Sequence, residues 1–151
     1  MRKLFLILLT ISLGQLSAFA QANHEAIKST IDALFEGMKN KDQSMIESAF
    51  HTNAVMHTVA ETDTGSTLGS NSVRDFVNRI ATSPVETILD ERILDYQIKI
   101  DGEMAQAWTP YEFFINNNFS HCGVNAFSLI KTPKGWKITY VIDTRRKENC
   151  N

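Results

Sequence analysis

Two cysteines in 151 residues exclude a scaffold stapled by several disulfides, because at most one bridge can form. Beyond the first twenty residues, no run is apolar enough to cross a bilayer as a helix. The chain also lacks a phosphate loop, a dinucleotide-binding glycine fingerprint and a serine-hydrolase elbow, so no nucleotide or other cofactor is expected. His51 and His57 lie six residues apart with no cluster of zinc-ligand spacing around them, and no metal is expected. No repeat, low-complexity tract or linker divides the sequence.

The first twenty residues have the make-up of a secretory leader. Arg2 and Lys3 form a basic start, residues 4–13 are nearly all apolar, and Ala18-Phe19-Ala20 is a small-x-small cleavage site. Cleavage is expected before Gln21, leaving residues 21–151 as one domain in the periplasm or outside the cell. Removing Arg2 and Lys3 from 15 basic residues leaves 13 against 17 acidic ones, a formal charge of −4. Mild acidity spread along the chain argues against nucleic acid as a partner, and against a membrane surface after cleavage. Export also sets the expectation for Cys122 and Cys150, since an oxidising compartment lets them pair. Cys150 lies just past the last expected strand, whose tip should reach Cys122. Closing a loop of about 29 residues stabilises by roughly 3 to 4 kcal/mol in the chain-entropy model. The alternative is two free thiols; no Cys-His-Asx arrangement points to a nucleophilic cysteine.

Residues 121–146 are the longest patterned stretch. Phe127 and Leu129 alternate in one arm, and Trp136, Ile138, Tyr140 and Ile142 in the other, around a Thr132-Pro133-Lys134-Gly135 turn. Pairing Lys131 with Trp136 sets Leu129 against Ile138, Phe127 against Tyr140, Asn125 against Ile142 and His121 against Arg146. Polar groups thus continue an apolar row, the pattern of a pocket near the open end of the hairpin.

Upstream, Ile27, Ile31, Leu34, Phe35 and Met38 recur at helical steps, predicting an amphipathic helix over residues 24–38. A second helix is expected near Ser44, which has capping-box spacing to Glu47, with Met45, Ile46, Ala49 and Phe50 inward. Residues 54–59 read as a short strand, and residues 61–70 as a polar stretch with turns at Gly65 and Gly69. Ser72, with Asp75 three residues on, caps a third helix carrying Val73, Phe76, Val77 and Ile80; Ser83-Pro84 ends it. The rest is strand: residues 86–100, an Asp101-Gly102 turn, residues 104–115, then an asparagine turn at 116–118. That turn holds two or three residues, and the choice decides whether Trp108 and Glu112, or Tyr111 and Phe113, face inward.

Helix, helix, strand, helix and four long antiparallel strands resemble the cone of the nuclear transport factor 2-like superfamily, an α+β fold of three N-terminal helices on a curved, mostly antiparallel sheet. Phe50-His51-Thr52-Asn53-Ala54-Val55, Gly69-Ser70-Asn71-Ser72-Val73-Arg74-Asp75-Phe76 and Lys134-Gly135-Trp136-Lys137-Ile138 are similar to its local signatures. His121-Cys122-Gly123-Val124-Asn125-Ala126-Phe127 with Asp143-Thr144-Arg145-Arg146 further resembles exported bacterial members called "putative lumazine-binding". The resemblance implies a pocket at the wide end of the cone. It does not imply an activity, because this scaffold holds isomerases, dehydratases, binding modules and adaptors. In the ketosteroid isomerase relatives, a base on the first strand, a tyrosine on the first helix and an acid on the penultimate strand do the chemistry. The corresponding positions here are Thr58, Leu34 and Asn125. Thr58 is no base at neutral pH and Leu34 cannot donate to an oxyanion, so that reaction is not expected.

Among pocket candidates, Asn125 has an amide that costs about 1 to 3 kcal/mol if buried without partners. It binds a ligand carbonyl or another core polar group. His57, on the first strand, and His121 are the general-base candidates if the protein is an enzyme. A His121–Asp143 pair is not expected, since the assumed register turns Asp143 to the other face; a salt bridge from Asp143 to a neighbouring arginine is. Trp108, Tyr111 and Tyr140 are candidates to stack on a ring. Of Arg145 and Arg146 only one can face in, and Arg146 is the expected one. Three functions stay open: a binder of a small apolar or aromatic molecule, a dehydratase or isomerase using a pocket histidine, and a homodimeric interaction module.

Overall fold

The computed structural model describes residues 2–150, with side chains from Ala20 onward. The expected leader therefore lies largely outside the described side chains. Its backbone belongs to α1 (Arg2–Asn40), which continues through the amphipathic segment. Ile27, Ile31, Leu34 and Met38 fall on one stripe of α1 and are buried. At Gly37 an added Cβ would lie 2.9 Å from the side chain and 3.0 Å from the backbone of Ile46, so only glycine lets α2 (Gln43–Ala49) pack this closely. The cap of α2 is Asp42 rather than Ser44: its Oδ1 accepts from the Met45 amide at 3.0 Å, and Ser44 donates to the same oxygen. A carboxylate is a stronger acceptor than a hydroxyl for orphan helix amides, which is why the start moves two residues upstream. α3 (Val73–Ala81) is capped by Ser72 as expected, its hydroxyl accepting from the Asp75 amide.

The sheet is built from β1 (Phe50–Thr62), β2 (Gly65–Ser72), β3 (Leu89–Ile93), β4 (Gln97–Asp101), β5 (Met104–Ile115), β6 (Asn118–Thr132) and β7 (Gly135–Thr144). The strand order is β2-β1-β7-β6-β5-β3, with β4 also on β5; β1 and β7 run parallel and every other pair antiparallel. The helices pack on one face, against Phe127, Leu129, Trp136, Ile138 and Val141. This is the expected α+β cone.

Four features differ from the sequence expectation. The short strand and polar stretch at 54–70 form one long β1–β2 hairpin, and Gly69 lies within a strand. The single strand expected at 86–100 is two. Both pair with β5, and the break falls at Pro110, whose carbonyl accepts from Leu94 while its ring offers that edge no N–H. The asparagine turn holds two residues, Asn116 and Asn117, both at positive φ, which alone would set Trp108 opposite Asn125. An extra β6 residue at Ser120, between the Phe114–Phe119 and Phe113–His121 pairs, shifts the register, so Tyr111 and Phe113 turn inward and Trp108 is 51 % exposed on the outer face. Finally, β7 carries a bulge. Leu129 faces Ile138 as expected, but Ser128 then faces Tyr140, so Thr139 is an extra residue, its hydroxyl donating to the Ser128 carbonyl at 3.0 Å. Beyond it Phe127 faces Val141 and Asn125 faces Asp143, so Tyr140 and Ile142 turn out while Val141 and Asp143 turn in.

The C-terminal tail folds back on β6. Cys122, not His121, opposes Arg146, exchanging two backbone hydrogen bonds of 2.9 Å, and Cys122 is joined to Cys150. At Gly123 an added Cβ would lie 1.8 Å from the Thr144 carbonyl oxygen, so no other residue fits between the ends of β6 and β7.

Candidate functional site

Helices α1 and α3 and the inner sheet face enclose a cavity of about 70 Å³. Leu34, Phe35 and Met38 from α1, Phe76 from α3, Phe127 from β6 and Val141 from β7 make its apolar wall. The volume is room for a few waters or the end of a small ring, and flexible Met38 and Met56 at its edge allow it to adapt.

The other wall is polar. From β6, Asn125 donates its Nδ2 to Glu91 Oε1 of β3 at 2.7 Å. From β7, Asp143 accepts from Arg145 Nε at 2.7 Å, and the Arg145 guanidinium reaches Thr58 Oγ1 of β1 at 3.5 Å. The Tyr111 hydroxyl donates to the Thr144 carbonyl at 3.0 Å and lies 3.4 Å from Asp143. Glu91, Asn125, Asp143, Arg145 and Thr58 all line the cavity.

Burial pushes the Glu91 carboxyl up to about 8; the Asn125 hydrogen bond opposes this, the charge of Asp143 adds to it, and Arg145 opposes it again. Glu91 is thus mostly protonated at neutral pH. Burial works against the charge of Arg145, but its bond to Asp143 and that residue's charge outweigh the cost and hold the guanidinium proton more tightly than usual. Asp143 and Arg145 neutralise each other. The charges within this wall balance, while Arg79, which also lines the cavity, is solvent-exposed and donates to the neutral amide of Asn71.

The residues expected from sequence separate into two groups. Asn125 sits in the cavity, 5 % exposed, and Tyr111 lies just behind it. Thr58 and Leu34, the positions the ketosteroid isomerase resemblance singled out, also line it. His57 borders the cavity, but its Nδ1 lies 3.0 Å from the Tyr140 hydroxyl. Tyr140 and Trp108 line a groove on the outer sheet face, away from Asn125. The β7 bulge accounts for Tyr140 and the extra β6 residue at Ser120 for Trp108. His121 packs on Tyr111 and Phe113 and meets Ser120 through Nδ1 at 3.1 Å; burial, then Arg145, lowers its proton affinity. It shares the inner face with Asp143 after all, yet Tyr111 touches both and Asp143 pairs with Arg145. That pair is the expected salt bridge, except that Asp143 is nearly buried rather than on a rim. Arg146 bonds the Asn149 carbonyl in the tail, and Arg145 takes the inward position. No group of three metal-binding side chains occurs among the described residues. Glu91 is the residue sequence reasoning missed. Its signal was present: Leu89, Glu91 and Ile93 alternate on β3, an acid in an apolar row just as Asn125 is an amide in one.

A family model described as "Putative lumazine-binding" matches residues 22–140. The chain belongs to this family. Its fold is that of the nuclear transport factor 2-like superfamily, shared with many solved structures. A nuclear transport factor 2-like protein of unknown function from Shewanella baltica is 18 % identical with a TM-score of 0.60, over 82 % of this chain and 94 % of that one. A protein from Streptomyces avermitilis described as a putative dehydratase of this superfamily is 15 % identical with a TM-score of 0.66, over 84 % and 98 %. A superfamily member from Salmonella enterica is 15 % identical with a TM-score of 0.65, over 86 % and 95 %. At these identities the likeness is one of fold. No curated protein matches the chain. Among the described residues no helix is long and apolar enough to cross a membrane.

Proposed function

We propose that this member of the "putative lumazine-binding" family is an exported protein that binds a small, uncharged, largely apolar or aromatic molecule in the cone cavity. The supporting observation is the wall pairing: an apolar side ending against hydrogen-bonded polar groups in which Asp143 and Arg145 balance each other, with the one other arginine of the lining, Arg79, exposed to solvent and bonded to Asn71. A charged ligand would leave water for an inner wall whose Asp143 and Arg145 already neutralise each other, which is costly, whereas a neutral ring with one or two polar atoms matches both walls. The leader-like first twenty residues support export. The family description makes lumazine the natural first probe.

Calorimetric titration of the mature protein with lumazine and with uncharged bicyclic heteroaromatics tests this reading. Saturable binding is expected, weakened at least about tenfold, or 1.4 kcal/mol, by Asn125→Leu. Absence of binding to every compound, with the protein folded, overturns it.

A further inference from the structure

Outside the cavity, α1 and β3 border an open groove of about 780 Å³. Phe35 and Glu91 line both the groove and the cavity, so they form the partition between solvent and the enclosed site. The other charged groups on both sides are already engaged. In the groove, Lys28 pairs with Asp32 at 2.7 Å and lies over the ring of Tyr96, whose hydroxyl donates to Asp32. Lys39 pairs with Asp90, and Glu36 accepts from Asn40. In the cavity, Asp143 pairs with Arg145, and Arg79 bonds Asn71. Glu91 enters no salt bridge among the described residues; the amide of Asn125 is its hydrogen-bond partner. One half-buried carboxyl thus stands at the only wall common to groove and cavity among the described pockets, with a neutral donor fixing its orientation and no salt bridge fixing its charge.

We infer that Glu91 is a catalytic residue of this site, exchanging a proton with an uncharged ring compound that arrives through the α1–β3 groove. The inference rests on the ligand-binding reading and adds chemistry to it. A carboxyl held by an amide rather than by lysine or arginine can gain and lose its proton without breaking an ion pair, which is what acid–base work requires. The two histidines are not placed for it: His57 meets Tyr140 and His121 meets Ser120. Asp143 is engaged by Arg145 in a salt bridge, and the phenols of Tyr96 and Tyr111 are both pushed up by burial, so they stay neutral. Glu91, pushed up to about 8 by burial against the opposing Asn125 hydrogen bond, gains and loses its proton close to neutral pH.

Nitrobenzisoxazole, a small neutral aromatic, reports on such a group. Ionised Glu91 takes the proton from the ring carbon, the C–H electrons complete a carbon–nitrogen triple bond, and the nitrogen–oxygen bond breaks to leave a coloured phenolate. No other reactant is needed. Conversion by the mature protein is expected at least about 100-fold above the same concentration of acetate, rising with pH through a midpoint near 8. Glu91→Gln, with unchanged circular dichroism and unchanged probe binding by saturation-transfer NMR, falls to background, while Glu91→Asp keeps part of the rate. Retention of the wild-type rate by Glu91→Gln, or binding of the probe without conversion, overturns the catalytic role and leaves the binding reading standing. Failure of the probe to bind overturns both for aromatic ligands.

Discussion

Glu91 carries a consequence for stability that needs no ligand. Its carboxyl titrates near 8 in the fold against 4.5 unfolded, so between those values the native state holds a proton that the unfolded chain has lost. Stability therefore falls as pH rises through that window, by at most about 1.4 kcal/mol per unit, and is fully regained below it. Urea unfolding at pH 5 and pH 8 should show this loss. Glu91→Gln should flatten the slope and be the more stable variant at pH 8; an unchanged slope in the variant would place the titrating group elsewhere. Legibility at this scale was uneven. Asn125 was visible because an amide stood in a strand row whose other members were apolar. Glu91 stood out less, because charged Asp90 and Arg92 flank it and the clear alternation of the strand expected at 86–100 begins only at Leu94. Arg145 and Arg146 are chemically identical, so only the backbone register could assign the inward one.

The elements themselves were mostly legible, and the errors share a cause. After Thr139, both faces of β7 are apolar: Tyr140, Val141 and Ile142 fit either parity, so alternation gives no warning of the bulge. That single extra residue moves Asp143 into the cavity and Tyr140 out of it. Similarly, Leu94 and Tyr96 continue an alternating pattern across a break that is dictated by Pro110 on the neighbouring strand, a long-range effect no local period records. The junction of β6 and β7 is the element most sensitive to change. Gly123→Ala would force a Cβ onto the Thr144 carbonyl, and the strands must separate. We expect a loss of at least about 2 kcal/mol in urea unfolding, more than an exposed glycine substitution of the same kind gives. Reduction of Cys122–Cys150 should lower stability by roughly 3 to 4 kcal/mol through the same junction. A midpoint that ignores both changes would show that the tail clamp does not support the fold.

At the scale of the whole molecule, the order of elements carried the fold because helix period, strand period and turn residues agree along residues 24–144. The site was less legible because it is assembled from β1, β3, β6, β7, α1 and α3, whose shared end exists only after the sheet curves. Function then follows from the balance the fold creates there: a closed apolar wall, a neutralised Asp143–Arg145 pair and a carboxyl held by Asn125. The most direct measurement is native mass spectrometry of the mature protein purified gently from its own host. A mass excess of one small neutral molecule per chain, lost on denaturation and diminished in Asn125→Leu, is expected. A bare mass in both proteins, or a ligand retained undiminished by the variant, would contradict it.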